Sequence, residues 1–364
     1  MPPLILPNPQ SGLSPLETFL LRMSDTEADG IMAHFEIPIL LKLSKLNRRL
    51  RCWLDWYAYS AWNSLTFASI YVGRPHTLLS LMDGKDAMFY GEAILRFLLR
   101  CGDKECPLDV CTTLNKFYLL HRFLLDEGYS LTCKGRNPSP VRVAWMQVSM
   151  HERIGNILHD AGAAHDDWSL TADQSWSPED HLGYKFRFSK DGPGGGTLSI
   201  NLHLIRCEPY RHVMGSSLST LTCYMTRDRC VAPFAESAFV LGHAYSLRNR
   251  RLLTDNTSTT EQEITSARKS WRFNILTSRQ KTKVTIPATE IGARYLGDSS
   301  CWVLLRKREG CVPDPLVTRE SYRGPTFEVM DWKDVEDEEG SFLTIGEPTI
   351  WSSRYFYALR TRGT

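Results

Sequence analysis

The sequence predicts an α+β protein in which an N-terminal helical segment precedes a mixed sheet flanked by helices. Three observations carry this. Apolar residues recur at spacings of three and four between Met23 and Trp62, the period switches repeatedly between strand and helix from Asp86 to Tyr129, and a glycine-rich turn at 191–196 separates two alternating runs. A chain of 364 residues, 42% hydrophobic, is long enough to bury one large core or several smaller ones.

The elements follow in order. A Pro-rich leader at 1–22 gives way to Ser24-Asp25-Thr26-Glu27, which has the S-x-x-E form of a capping box and starts a helix to about His34. Pro38 suits the first position of a second helix, whose apolar stripe is Ile39, Leu43, Leu46, Leu50, Trp53 and Tyr57. Lys42, Lys45, Arg48, Arg49 and Arg51 form its other, solvated face. These helices make a unit at 23–65.

Ala87 to Tyr90 reads as a strand, Gly91 opens a helix through Leu99, Leu108-Asp109-Val110 is a strand, and Phe117, Leu120, Leu124 and Leu125 mark a helix stopped by Gly128. Val141 to Val148 reads as extended and Met150 to His159 as a short helix, followed by an inserted surface loop at 160–182. Tyr184 to Phe188 and Leu198 to Leu204 alternate around the glycine run, which makes a hairpin. No Lys-Ser/Thr pair follows those glycines, so they are turn residues rather than a phosphate cradle. Short helices are expected from Pro209 to Val213, across 233–245 and from Thr260 to Trp271. An acidic loop follows at 334–339, with strands near 342–345 and 355–359.

Composition narrows the function classes. With 43 basic and 41 acidic residues the formal charge is +2, so no global field favours nucleic acid or anionic lipid, and no apolar run approaches a membrane span. The leader lacks the basic n-region and apolar length of a signal peptide. Ten cysteines without a C-x-x-C pair read as reduced thiols, and the expected location is cytoplasmic or nuclear. The spacing of Cys101, Cys106, Cys111 and His121 is wider than tight-turn metal sites use.

Two resemblances add expectations. The segment at 31–51, IMAHFEIPILLKLSKLNRRLR, resembles an F-box, a helix and a Leu-rich helix ending in a basic cluster. That resemblance implies that Ile37, Pro38, Leu40 and Leu41 face a ubiquitin-ligase linker protein, with plain core packing as the competing reading. The segment from Tyr90 to Cys111 resembles the nucleotidyltransferase arrangement, in which a Gly-Ser pair opening a helix is followed by D-x-D on the next strand. With LIRCEPYRHVMGSSLST at 204–220 and RYLGDSSCW at 294–302, the chain is similar over roughly two-thirds of its length to a group of basidiomycete proteins with a helical N-terminus and a degenerate nucleotidyltransferase-like domain. The resemblance implies such a domain over 75–310, with 311–364 as a C-terminal extension.

Measured against that pattern, the chemistry is depleted. Gly91 matches the family glycine and Asp109 the second carboxylate, but Glu92 stands where serine is usual and Pro107 where the first carboxylate belongs. The third carboxylate would lie on the strand ending near Ile205, whose polar face is Ser199, Asn201 and His203. Mg²⁺ prefers six oxygen ligands, so one protein anion, Asp109, is a poor cage. Glu92 would favour the helix dipole but repel a triphosphate. The expected function is a non-catalytic protein that binds a protein partner or a nucleotide, with Gly91, Glu92, Glu105, Asp109, Asn201 and His203 as residual site residues and no cofactor. The alternatives are an active Mg²⁺-dependent nucleotidyltransferase, in which Asp109 is a metal ligand with Glu105 in support, or a ubiquitin-ligase adaptor. His121 reads as a core histidine.

Overall fold

A computed structural model of the chain describes residues 15, 18–19, 22–46, 48–101, 106–132, 184–192, 195–205, 208–249, 273–276, 286–305, 325–331 and 343–346. The expectations for 141–159, the loop at 160–182, the helix at 260–271, the acidic loop and the strand at 355–359 lie outside these residues. The chain forms two compact units, residues 1–63 and 64–364.

The first unit contains α1 (Asp25–His34), α2 (Ile37–Leu46) and α3 (Arg48–Ala61). Its capping box is complete. The Glu27 N–H donates to Ser24 Oγ, and the Ser24 N–H donates to Glu27 Oε2 at 2.9 Å, so two backbone donors that the helix leaves open are satisfied reciprocally. The apolar stripe drawn through Ile39, Leu43 and Leu46 into Leu50 and Tyr57 presupposes one continuous helix, and the structure has two. Leu50 and Tyr57 on α3 are buried, but Ile39 is 43% exposed and Leu46 65%. The buried residues of α2 are instead Ile37, Leu40 and Leu41, with Leu40 at 4%. Arg51 Nε donates to the Ser44 carbonyl at 3.1 Å, and so satisfies an acceptor in the last turn of α2. Pro38 is the second residue of α2, within the first turn, where no N–H is required.

The second unit begins with α4 (Ser64–Ser69) and α5 (Pro75–Leu81). It continues with β1 (Ala87–Tyr90), α6 (Glu92–Leu98), β2 (Leu108–Thr112), α7 (Leu114–Asp126), β3 (Ser130–Thr132), β4 (Tyr184–Asp191), β5 (Thr197–Leu204) and α8 (Pro209–Met214). After a 3₁₀ turn at Ser219–Thr222 come β6 (Tyr224–Met225), β7 (Arg229–Ala232), β8 (His243–Tyr245), β9 (Leu247–Asn249), β10 (Asn274–Leu276), β11 (Gly292–Tyr295), β12 (Trp302–Leu305), β13 (Thr326–Asp331) and β14 (Leu343–Gly346). Eight strands form one mixed sheet in the order β12-β7-β6-β1-β2-β5-β4-β3. Within it β2 and β5 run parallel, while β1–β2 and β4–β5 are antiparallel.

Alternation divides the centre of this sheet into two faces. Leu108 and Val110 of β2, Ile200, Leu202 and Leu204 of β5, and Phe186 and Phe188 of β4 are buried. His121 of α7 lies among them, stacked on Phe117 and edge-on to Phe188 with ring centroids 6.1 and 5.6 Å away. Its burial lowers its pKa, which keeps the ring neutral in the core. The opposite face carries Asp109, Asn201 and His203.

One expectation changes here. The segment 233–245 is not one helix. A short wide helix at Glu236–Val240 ends near Gly242, which has φ +66, and His243–Tyr245 then pairs in parallel with β10. Its partner strand lies some thirty residues onward, so nothing local in the sequence announces it. The stretch read as a C-terminal extension supplies β13 and β14, which join β11 and β9 in a four-stranded sheet.

The RYLGDSSCW segment is a structural knot. Arg294, 4% exposed, donates from Nε to Asp298 Oδ2 and from Nη2 to Asp298 Oδ1, both at 2.9 Å, and from Nη2 to the Pro233 carbonyl at 2.7 Å. Asp298 Oδ1 also accepts from the Ser300 and Cys301 N–H groups. The guanidinium lies over Phe234 and Phe327, so a buried charge is paired, hydrogen-bonded and stacked.

Candidate functional site

Asp109 is the centre of the polar face. Its register partners are Tyr90 on β1 and Asn201 on β5, so adjacent strands deliver all three side chains to one side. Asn201 Nδ2 donates to Asp109 Oδ1 at 2.8 Å, and His203 Nε2 lies 3.2 Å from the same oxygen. Burial pushes the Asp109 carboxyl up, but the His203 hydrogen bond and charge, the Lys185 ammonium and the Asn201 hydrogen bond outweigh it and leave the pKa lowered. An ionised carboxylate only accepts, so His203 Nε2 is the proton-bearing nitrogen of this pair. The carboxylate is 22% exposed and the imidazole 14%.

Gly91 borders the other carboxylate oxygen. It has φ +77, a conformation that a side chain disfavours, and a Cβ there would stand 3.5 Å from Asp109 Oδ2. The required glycine is therefore explained by backbone geometry, with only ordinary contact on the carboxylate side. Glu92 is turned along its own helix. Its Oε1 accepts from Arg96 Nη2 at 2.7 Å and Nε at 2.9 Å, an i,i+4 pair that removes it from the Asp109 group. Glu105 lies outside the described residues.

Of the sequence-predicted residues, Gly91, Asp109, Asn201 and His203 come together, and Glu92 does not. The grouping has further members that the sequence reading passed over. His212 of α8 lies 2.9 Å from the Tyr90 hydroxyl, and the rings of Tyr90, His203 and His212 pack within 5.1–5.7 Å of one another between centroids. Lys185 and Arg187 are the register partners of His203 and Asn201 and are exposed on the same face. The alternation Tyr184-Lys185-Phe186-Arg187-Phe188 already placed both basic residues opposite the phenylalanines. His212 had no such signal, since its approach depends on how α8 packs.

What this arrangement can do chemically is bounded by Asp109. Asn201 and His203 hold Oδ1 of Asp109, so a divalent ion would meet one protein carboxylate, through Oδ2, where such ions are held by several oxygen ligands. Among the described residues, no group of three His, Cys, Asp or Glu side chains is placed to hold a metal ion. Nor do those residues include a helix long and apolar enough to cross a membrane.

Three of the buried cysteines are held as inert thiols. Burial pushes the Cys223 and Cys230 thiols well up and the Cys301 thiol up to about 12, and a thiol so shifted stays protonated. The F-box-like residues Ile37, Leu40 and Leu41 are buried and Pro38 is half-buried, so the surface offered by α2 is that of Ile39, Lys42, Lys45 and Leu46. No family model, curated protein or solved structure matches the chain.

Proposed function

We propose that the chain is a non-catalytic intracellular binding protein, a degenerate nucleotidyltransferase-like scaffold that holds a protein partner or a nucleotide, joined to an F-box-like helical segment. The observation that carries this reading is the commitment of Asp109. Its Oδ1 is shared by Asn201 and His203, and the residues paired with it on β1 and β5 are Tyr90 and Asn201 rather than acids. Two-metal phosphoryl transfer requires several carboxylates converging on the same pair of ions. A phenol and an amide at those positions keep the face polar without supplying a second anion. The absence of disulfides among the six described cysteines suits a reducing compartment, cytoplasm or nucleus.

The test is nucleotidyl transfer itself. Purified protein given a labelled nucleoside triphosphate with Mg²⁺ or Mn²⁺ transfers no label in this account. Transfer that Asp109→Ala abolishes would establish the active-enzyme alternative. The ubiquitin-ligase adaptor alternative now depends on residues other than Ile37, Leu40 and Leu41, because burial withdraws these from a partner's reach.

A further inference from the structure

Strand alternation sets alternate residues of β4 and β5 on the face that carries Asp109. On β5 these are Ser199, Asn201 and His203, and their antiparallel partners on β4 are Ser189, Arg187 and Lys185. Lys185 and Arg187 are exposed, and Arg187 lies two residues along the strand, about 7 Å from Lys185. Against these bases, the acid within the group among the described residues is Asp109, which Asn201 and His203 already engage. Glu92 is paired with Arg96. Asp191 shares the alternation but sits at the hairpin turn, four residues and about 13 Å beyond Arg187. Among the described residues this face thus carries more positive than negative charge, whereas a metal-dependent phosphoryl-transfer site would be rich in carboxylates.

We infer that this face is a metal-independent oxyanion site, which takes the phosphate groups of a ligand directly on Lys185 and Arg187. A singly charged carboxylate is balanced by one cation. Two fixed cations outnumber the Asp109 carboxylate, and the planar guanidinium fork suits phosphate oxygens. Asp109 then has a positioning role: it accepts the proton of His203 Nε2 and so holds the imidazole against Tyr90 and His212, beside the two bases. Because Lys185 and Arg187 are exposed, binding is modest and weakens with salt. This inference rests on the binding reading above and specifies the ligand chemistry of that same site.

The experiment is calorimetric titration of the full chain, at low ionic strength with EDTA, with inorganic pyrophosphate, ATP and AMP in separate arms. Saturable pyrophosphate binding that competes with ATP is expected. Arg187→Gln and Lys185→Met, which change exposed side chains and leave the thermal unfolding midpoint in place, should each weaken binding about tenfold. ATP binding without pyrophosphate binding would show that the base is recognised instead and overturn the inference. So would affinity unchanged in both variants, or no saturable binding in any arm. Binding that appears only when Mg²⁺ is supplied overturns it too while leaving the binding-protein reading standing, and transfer of labelled nucleotide would overturn that reading instead.

Discussion

Helix α2 and the β4–β5 hairpin are both two-faced elements, but they fix their faces by different means. A helix face is a phase, accumulated at 3.6 residues per turn, and it holds only while the helix is unbroken. The end of α2 at Leu46 and the start of α3 at Arg48 reset that phase, so the residues that continue the α3 stripe backwards, Ile39 and Leu46, are exposed and Leu40 is buried. A strand face changes at every residue, and eight register pairs from Tyr184–Leu204 to Asp191–Thr197 lock it. One interruption misassigns a helix, whereas a hairpin would need a register slip to exchange its faces.

The largest expected effect sharpens this contrast within α2. Leu40→Ala should cost about 2–5 kcal/mol, through lost burial and the cavity left behind, whereas Leu46→Ala should change stability by less than about 0.5 kcal/mol. Urea unfolding followed by far-ultraviolet circular dichroism measures both. Equal effects would mean that α2 does not bury the face described here.

On the sheet, Asp109→Ala should cost about 1–3 kcal/mol, because it deprives Asn201 and His203 of their shared acceptor. Lys185→Met on the exposed neighbouring strand should be close to neutral by the same unfolding assay. Gly91→Ala should cost about 1–2 kcal/mol, since φ +77 strains any residue with a Cβ.

Smaller still is the pH response, which separates the sheet's two faces. His121, on the apolar face, has its pKa lowered by burial from an ordinary 6.5, so the unfolded chain binds the proton more readily. Its contribution is complete above pH 6.5 and declines as pH falls from there toward the lower folded value. Asp109, on the polar face, is also lowered, from 3.8. Its contribution is present above 3.8 and is lost as pH falls through the still lower folded value. Unfolding midpoints measured against pH should lose the first decline in His121→Phe and the second in Asp109→Asn.

Much of the sheet and part of the site were legible in the sequence because they depend on local rules. Period-two alternation identified the hairpin, Gly91 identified the strand-to-helix turn, and alternation on β5 grouped Asn201 with His203. The meeting of Asp109 with Asn201 required knowing that β2 and β5 are parallel neighbours, ninety-two residues apart, which the polar patterns suggested only through the family arrangement they resemble. His212 and Tyr90 were invisible, since the approach of α8 to β1 is a packing outcome. The reversal of α2 came from a break that its composition did not announce, and β8 from a partner distant in the chain.

Saturable Mn²⁺ binding, followed by the electron paramagnetic resonance of the free ion, tests the central claim most directly. Wild-type protein should leave the free-ion signal undiminished, and Asn201→Asp, which puts a second carboxylate beside Asp109 on the neighbouring strand, should create a site that removes it. Stoichiometric Mn²⁺ binding by the wild type, lost in Asp109→Ala, would contradict the account, because Asp109 would then be a metal ligand rather than the acceptor that orients Asn201 and His203.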